Sequence, residues 1–336
     1  MPKFFKNYQL VCAVAVLIGT IAGAGTFGLP FVMAQSGWGL GLFYLIILTG
    51  VVLLIHLAYG EVVLRTGQAH CLVGYAGQYL GPRAKIFTTL VAFVEYYGSL
   101  LAYIILGGEF LRIIFSRFFG GSADAWVLVF FILAALAVGG GLKLVSGSEL
   151  LMTLALVGTV IILVVKSWPL VNAQNFITIN WSNWLLPYGV VLFALSGSVA
   201  VPEMRQILKG QERKLKTAIF GVLTVFTSFI IIGLNLKNTY IEDYNLRGGL
   251  AFFLTCLIPL AAYLLGIKSF ILVIGFVGAV AAGLDGILTV AIYLKAEKTG
   301  DRRPEYALRG ARLLRLGLVF IFALGLGTTL ISFFNK

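Results

Sequence analysis

The chain has 336 residues, 60% of them hydrophobic and only 11% charged, with a mean hydropathy of +1.00. Soluble globular domains carry about a quarter charged residues, so this composition excludes them and describes an integral membrane protein. The net charge of +12 resides on Lys and Arg in short segments between apolar runs, with few aromatics interleaved, which fits positive-inside topology and excludes a nucleic-acid-binding face.

Hydropathy and the polar breaks predict an all-α, polytopic fold. Ten spans lie near 8–34, 38–64, 84–115, 124–146, 149–168, 183–205, 217–235, 250–266, 270–294 and 313–334, within one transmembrane domain covering 1–336. Lys3 and Lys6 ahead of the first apolar run superficially resemble a signal peptide, but the run continues past Pro30 with no polar mature region and reads as a retained first span. A cytoplasmic N-terminus puts Lys3, Lys6, Arg65, Arg83, Lys85, Lys143, Arg205, Lys209, Arg213, Lys214 and Lys216 inside, against Arg112, Arg117 and Lys166 outside. The expected product is a multi-pass protein of the cell membrane, with the lipid bilayer as its first partner.

The first span is written against the rules for a plain helix. Its stretch GTIAGAGTFGLP, residues 19–30, holds four glycines and a proline, and each interior Gly costs roughly 1 kcal/mol relative to Ala and Pro about 3. The sixth span repeats the pattern in FALSGSVAVPEM, residues 193–204: Gly197 lies five residues before Pro202, as Gly25 lies five before Pro30. Paired Gly/Pro interruptions at the start of two halves point to an inverted-repeat transporter, with its binding site where the breaks meet. The bland reading is close helix packing on small residues with a proline kink, and two matching breaks argue against it. Unwound backbone at membrane depth is tolerated only where it lines a cavity and finds partners. The half-helix starting near Gly25 offers amides and a positive dipole end to a carboxylate. Carbonyls around Gly19 to Ala22 and Phe193 to Ser196 suit an ammonium group or a cation, so a zwitterionic amino acid matches both ends.

At these residues the chain resembles the amino-acid/auxin permease family of the amino acid, polyamine and organocation superfamily, especially its aromatic-permease-like members. The resemblance rests on GTIAGAGTFGLPF, LSGSVAVPEM, AYIILGGEFL at 102–111, VFTSF at 225–229 and VIGFVGAVAAGLDGIL at 273–288. It implies secondary active transport of a neutral or aromatic amino acid, coupled to Na⁺ or H⁺, with no other cofactor, on two inverted five-helix repeats. These would span 8–168 and 183–294, with an extra C-terminal helix at 313–334. It further implies that Thr20, Gly23, Ala24 and Gly25 in span one and Phe193, Ala194, Ser196 and Gly197 in span six contact the substrate, with Phe193 as a lid. Tyr97, with Tyr96 and Tyr103, is a candidate to close the pocket or to hydrogen-bond the carboxylate; packing is the alternative role. A cation site would take carbonyls from Gly19 and Ala22, hydroxyls from Thr227 and Ser228, and the Thr224 carbonyl. Against this, Ser and Thr in membrane helices often bond only their own backbone.

Intramembrane charges are expensive and mark function, and Glu95 and Asp285 are the clearest here, Glu95 being a candidate proton relay. His56 and His70 are the only histidines, and no HExxH, Walker or GxSxG motif appears, which speaks against an enzyme. Cys12, Cys71 and Cys256 form no CxxC pair and imply no disulfide framework. The oligomeric state is not readable.

The second repeat reads as one helix short. After Pro30 four further spans end near 168; after Pro202 only three end near 294, and ten regular crossings would put the basic segment 295–315 outside, against its charge. The family pattern implies a deletion near 219–221, with 217–235 in the eighth-helix position and 250–294 forming the ninth and tenth. The connector 205–216, at most about 40 Å when extended, would then have to reach across the bilayer. The alternatives to a working permease are therefore a non-transporting amino-acid-binding membrane protein and a transport-impaired deletion variant.

Overall fold

The computed structural model describes residues 25–140, 165, 169, 179–196, 227–308, 317, 321–323 and 325–327. The described residues form helices and no strand. Helix α1, Gly25–Ser36, carries Pro30, and Gly37 at φ +90° reverses the chain into α2, Trp38–Arg65. A positive φ of this size costs glycine nothing and other residues much, which is why the turn is written with Gly. The short α3, Leu72–Leu80, ends at Gly81, also at φ +91°, and Pro82 opens α4, Pro82–Phe119, where its missing N–H is not needed. Helix α5 is Ala123–Gly140 and α6 is Leu186–Leu195. Helix α7, Thr227–Asn238, runs on into a π-turn at Thr239–Asp243. Helix α8 is Gly248–Leu264, and α9, Phe270–Thr299, has a π-helical stretch at Val277–Ala282.

Helices α2, α4, α5 and α9 are long and apolar enough to cross a bilayer. Their outward faces carry Ile46, Leu90, Leu136 and Leu272, each more than 60% exposed, a surface suited to lipid rather than water. The 38 residues of α4 measure about 57 Å, well beyond the roughly 30 Å hydrocarbon core, so this helix tilts or projects beyond it.

Contacts between remote segments define two ends of the bundle. At one end, the Gly67 amide donates to Asp301 Oδ1 at 3.0 Å and the Arg302 amide to the Arg65 carbonyl at 3.0 Å. The end of α7 joins this group, because the Gly74 amide donates to Asp243 Oδ2 at 2.7 Å and Lys85 Nζ reaches the Asp243 carbonyl. At the opposite end, the Asn180 amide donates to the Ser36 carbonyl at 2.9 Å, and Tyr263 Oη and Lys268 Nζ donate to Asp124 Oδ1 at 2.5 and 2.8 Å.

These contacts correct the expectation of regular alternation over ten spans, under which 237–243 and 301–303 would both lie at the end opposite Arg65–Lys85. In the structure both segments sit at the Arg65–Lys85 end, α8 leads away from it and α9 returns. Residues 8–24, 149–164 and 197–226, with the predicted connector 205–216, lie outside the described residues. Of 313–334, Phe322 is buried and seats against the Gly286 position of α9.

Candidate functional site

The two interrupted segments meet. A Cβ placed on Gly25, the first residue of α1, would fall on the backbone of Ala194 in the last turn of α6, and one placed on Gly28 would strike Val190 and Ile274. Only hydrogen at position 25 allows the start of one segment to touch the end of the other. Helix α6 ends at Ser196, whose φ of −66° and ψ of 120° are extended rather than helical, so the chain leaves the helix where the sequence predicts the break. Phe193 and Ala194 are buried, at 7% and 4% exposure; Phe193 faces α9, where a Cβ on Gly278 would meet its Cβ, while Ala194 faces Gly25.

Ser196 has a second link. Its hydroxyl donates to Glu95 Oε1 of α4 at 2.9 Å, and Glu95 is 4% exposed, with Oε2 finding no hydrogen-bond partner among the described residues. Ser196 also lines a cavity of about 20 Å³ with Val52, Ile55, His56, Leu192, Ala282, Asp285, Gly286 and Phe322. That volume holds about one water molecule.

The tyrosines divide. Tyr97 Oη bonds Tyr240 Oη in the π-turn after α7, so this hydroxyl ties α4 to α7. Tyr103 stacks edge-on with Phe229 of α7, at 6.3 Å between ring centres, and Tyr96 is 2% exposed in the core. Gly19, Thr20, Ala22, Gly23, Ala24, Gly197 and Thr224 lie outside the described residues; Thr227 and Ser228 open α7, their side chains also outside the description. No cluster of three His, Cys, Asp or Glu fit for a metal occurs among the described residues.

A polar clamp at the Arg65–Lys85 end escaped the sequence reading. Asp243, its side chain fully buried, receives the Gly74 amide and lies 3.3 Å from His70 Nδ1, while Lys85 holds its carbonyl and Thr89 bonds Tyr244. Close by, Cys71 Sγ points at the Asn235 carbonyl at 3.8 Å. These partners lie some 155 to 175 positions apart in sequence, and no local pattern links them.

A model described as the tryptophan/tyrosine permease family matches residues 6–221 and 196–332 of the chain. The chain is similar to Tyrosine-specific transport system 1 of Haemophilus influenzae, with 22% identity over 396 aligned residues covering 97% of this chain and 96% of the relative. It is also similar to Glutamine transporter 2 of Aliivibrio fischeri, with 20% identity over 381 aligned residues covering 95% and 98%. Of 336 residues, 97% is about 326, so about 70 positions of the first alignment face no residue of this chain.

Proposed function

Because the chain belongs to the tryptophan/tyrosine permease family, we propose that it is an amino acid permease of the cell membrane, moving a neutral or aromatic amino acid by alternating access with Na⁺ or H⁺ as the coupling ion. It is a membrane transporter and not an enzyme. The observation that carries the reading is the contact of Gly25, the first described residue of α1, with Ala194 in the last turn of α6, just before the chain leaves the helix at Ser196. The amino-acid substrate contacts Thr20, Gly23, Ala24 and Gly25 on one side and Phe193, Ala194, Ser196 and Gly197 on the other. Tyrosine and glutamine, named for the two relatives, are the first substrates to test. The assignment to the amino-acid/auxin permease branch, the inverted repeats at 8–168 and 183–294 and the cytoplasmic N-terminus belong to the same proposal. So does a cation site from Gly19, Ala22, Thr224, Thr227 and Ser228.

A second reading is favoured by one observation. The two family matches overlap at 196–221, around the expected deletion near 219–221, and the aligned relative has about 70 positions without a counterpart, more than the roughly 20 residues of a single crossing. A chain so shortened keeps a binding site on the α1, α4 and α6 contacts while losing part of the machinery that exchanges the two faces. Counterflow of radiolabelled amino acids in proteoliposomes decides between the readings, with calorimetric binding in detergent alongside. Binding with exchange supports a permease, and binding without exchange supports the shortened, non-transporting protein. No binding of any amino acid refutes both.

A further inference from the structure

The chain that follows α9, 300–308, is not helical, yet it is bound closely to the bundle. Gly300 lets it pass beside α2, because a Cβ there would meet the Ala296 carbonyl at 2.8 Å and the Arg65 Cβ at 3.0 Å. Pro304 has no amide to continue a helix and biases Arg303 toward extended backbone, so the segment runs on as a strap. Its base is tied by the bonds from the Gly67 amide to Asp301 and from the Arg302 amide to the Arg65 carbonyl. Its tip reaches back along α2 by about two turns, roughly 12 Å from Arg65, where Tyr306 Oη donates to the Leu57 carbonyl at 2.7 Å. Beside it, the Leu308 amide donates to Glu61 Oε2 at 2.6 Å.

The strap has an inner and an outer face. Tyr306 and Leu308 pack against the core that α2, α4, α6 and α7 share, whereas Arg303 and Ala307 are exposed. Non-helical backbone at membrane depth is tolerated where it is buried against protein or lines a water-filled space, and lifting this strap exchanges the first condition for the second. Glu61 suits a bond that is made and released. Its side chain is 0% exposed, which for a carboxylate without partners is costly. One oxygen is held by Arg65, from Nε at 2.8 Å and Nη2 at 2.7 Å, and the other by the Leu308 amide. Arg65 belongs to α2 itself, so the carboxylate keeps its charged partner when the strap departs, and water replaces one amide. We propose that 301–308 is a liftable cover over the core at the Arg65–Lys85 end, latched at its tip to Glu61 and Leu57, and that this end opens by its withdrawal. The inference goes beyond the permease reading, since a non-transporting binder whose ligand enters from this side needs the same movement.

Thiol modification of Leu57→Cys reads the movement, because Leu57 is 5% exposed and its carbonyl lies under Tyr306. With Cys12, Cys71 and Cys256 replaced by Ser, a small charged thiol reagent on oriented vesicles should modify it slowly, and only from the side that modifies Arg303→Cys. Leu308→Pro deletes the amide that Glu61 holds, and with that bond absent in the lifted state the rate should rise about tenfold or more. Tyr306→Phe keeps the ring and loses only its bond to the Leu57 carbonyl, for a rise of about fivefold. Arg303→Ala, at an exposed position, should leave the rate unchanged. A parallel chain keeping Cys256 as its sole cysteine, 3% exposed in α8, should show no rise with either strap variant. A rise at Cys256 as well means that the whole bundle loosens, and overturns a local cover. Equal rates in Tyr306→Phe and its parent, or modification of Leu57→Cys from the opposite side, overturn it too, and Tyr306→Phe decides the matter even where Leu308→Pro fails to fold.

Discussion

The clamp on Asp243 makes a quantitative claim about how one end of the bundle stays shut. Its carboxylate is fully buried and accepts the Gly74 amide at 2.7 Å in the first turn of α3, with His70 Nδ1 at 3.3 Å on the other oxygen. Asp243→Ala removes both acceptors but spares the main-chain carbonyl that Lys85 holds. A hydrogen bond to a charged group contributes roughly 1.5–3 kcal/mol, so α3 and α7 should lose about 2 kcal/mol of mutual attachment. If those bonds are absent when the two helices separate, the separated population rises about 30-fold. Native Cys71 reports on it, because the thiol is 2% exposed and faces the Asn235 carbonyl across the α3–α7 contact. In a background with Cys12 and Cys256 replaced by Ser, the rate of Cys71 modification by a small thiol reagent should rise by that factor in Asp243→Ala. Asp243→Asn, which keeps one acceptor, should fall between. An unchanged rate in Asp243→Ala would refute the clamp as the element that closes this end.

Gly25→Leu should abolish amino-acid binding by calorimetry, because its Cβ would fall on the Ala194 backbone and the longer side chain would fill the meeting place of α1 and α6; undiminished binding would refute that location. Gly278→Val puts a branched side chain where the Gly189 carbonyl lies, and backbone cannot step aside as a side-chain tip can. Overpacking typically costs about 1–3 kcal/mol, and this case belongs at the top of that range, seen as a lower unfolding temperature in detergent. Single cysteines at Lys237 and Arg303, tested with an impermeant maleimide on oriented vesicles, should label from the same side, as their neighbours Asp243 and Asp301 share one end. Labelling of Arg303 from the outer side would restore ten regular crossings.

The long apolar helices were legible because length and hydropathy alone set them: 38–64, 84–115 and 270–294 became Trp38–Arg65, Pro82–Phe119 and Phe270–Thr299. The end of α6 at Ser196 was legible too, since Gly and Pro mark lost helix directly. Helix α3 was missed because CLVGYAGQYL is short and lies between two polar breaks, though Gly81 followed by Pro82 is a stop-and-start signal that could have revealed it. The π-stretch at Val277–Ala282 left no mark in a run of small apolar residues, which satisfies either helical period. Tyr97 illustrates a harder limit. Its residue type suited a ligand-binding hydroxyl, and its partner, Tyr240, lies 143 positions away. Glu95 was identifiable as a buried charge from its place in an apolar run, whereas its partner Ser196 became evident only with the helices assembled.

The glycines between α6 and α9 have a mechanical consequence. A Cβ on Gly189 would strike the Gly275 carbonyl, and one on Gly278 would strike the Gly189 carbonyl, so main chain rests on main chain with no side chain between. Such a joint has no ridges that can slide by one notch, and any axial shift drives peptide groups into each other. Helices α6 and α9 therefore travel as a single strut carrying both Ser196 and Asp285. Glu95 rides on a different member, α4, whose contact with the strut at Gly98 is the tip of Val277, a rotatable group. The 2.9 Å bond from Ser196 to Glu95 crosses the seam between the two.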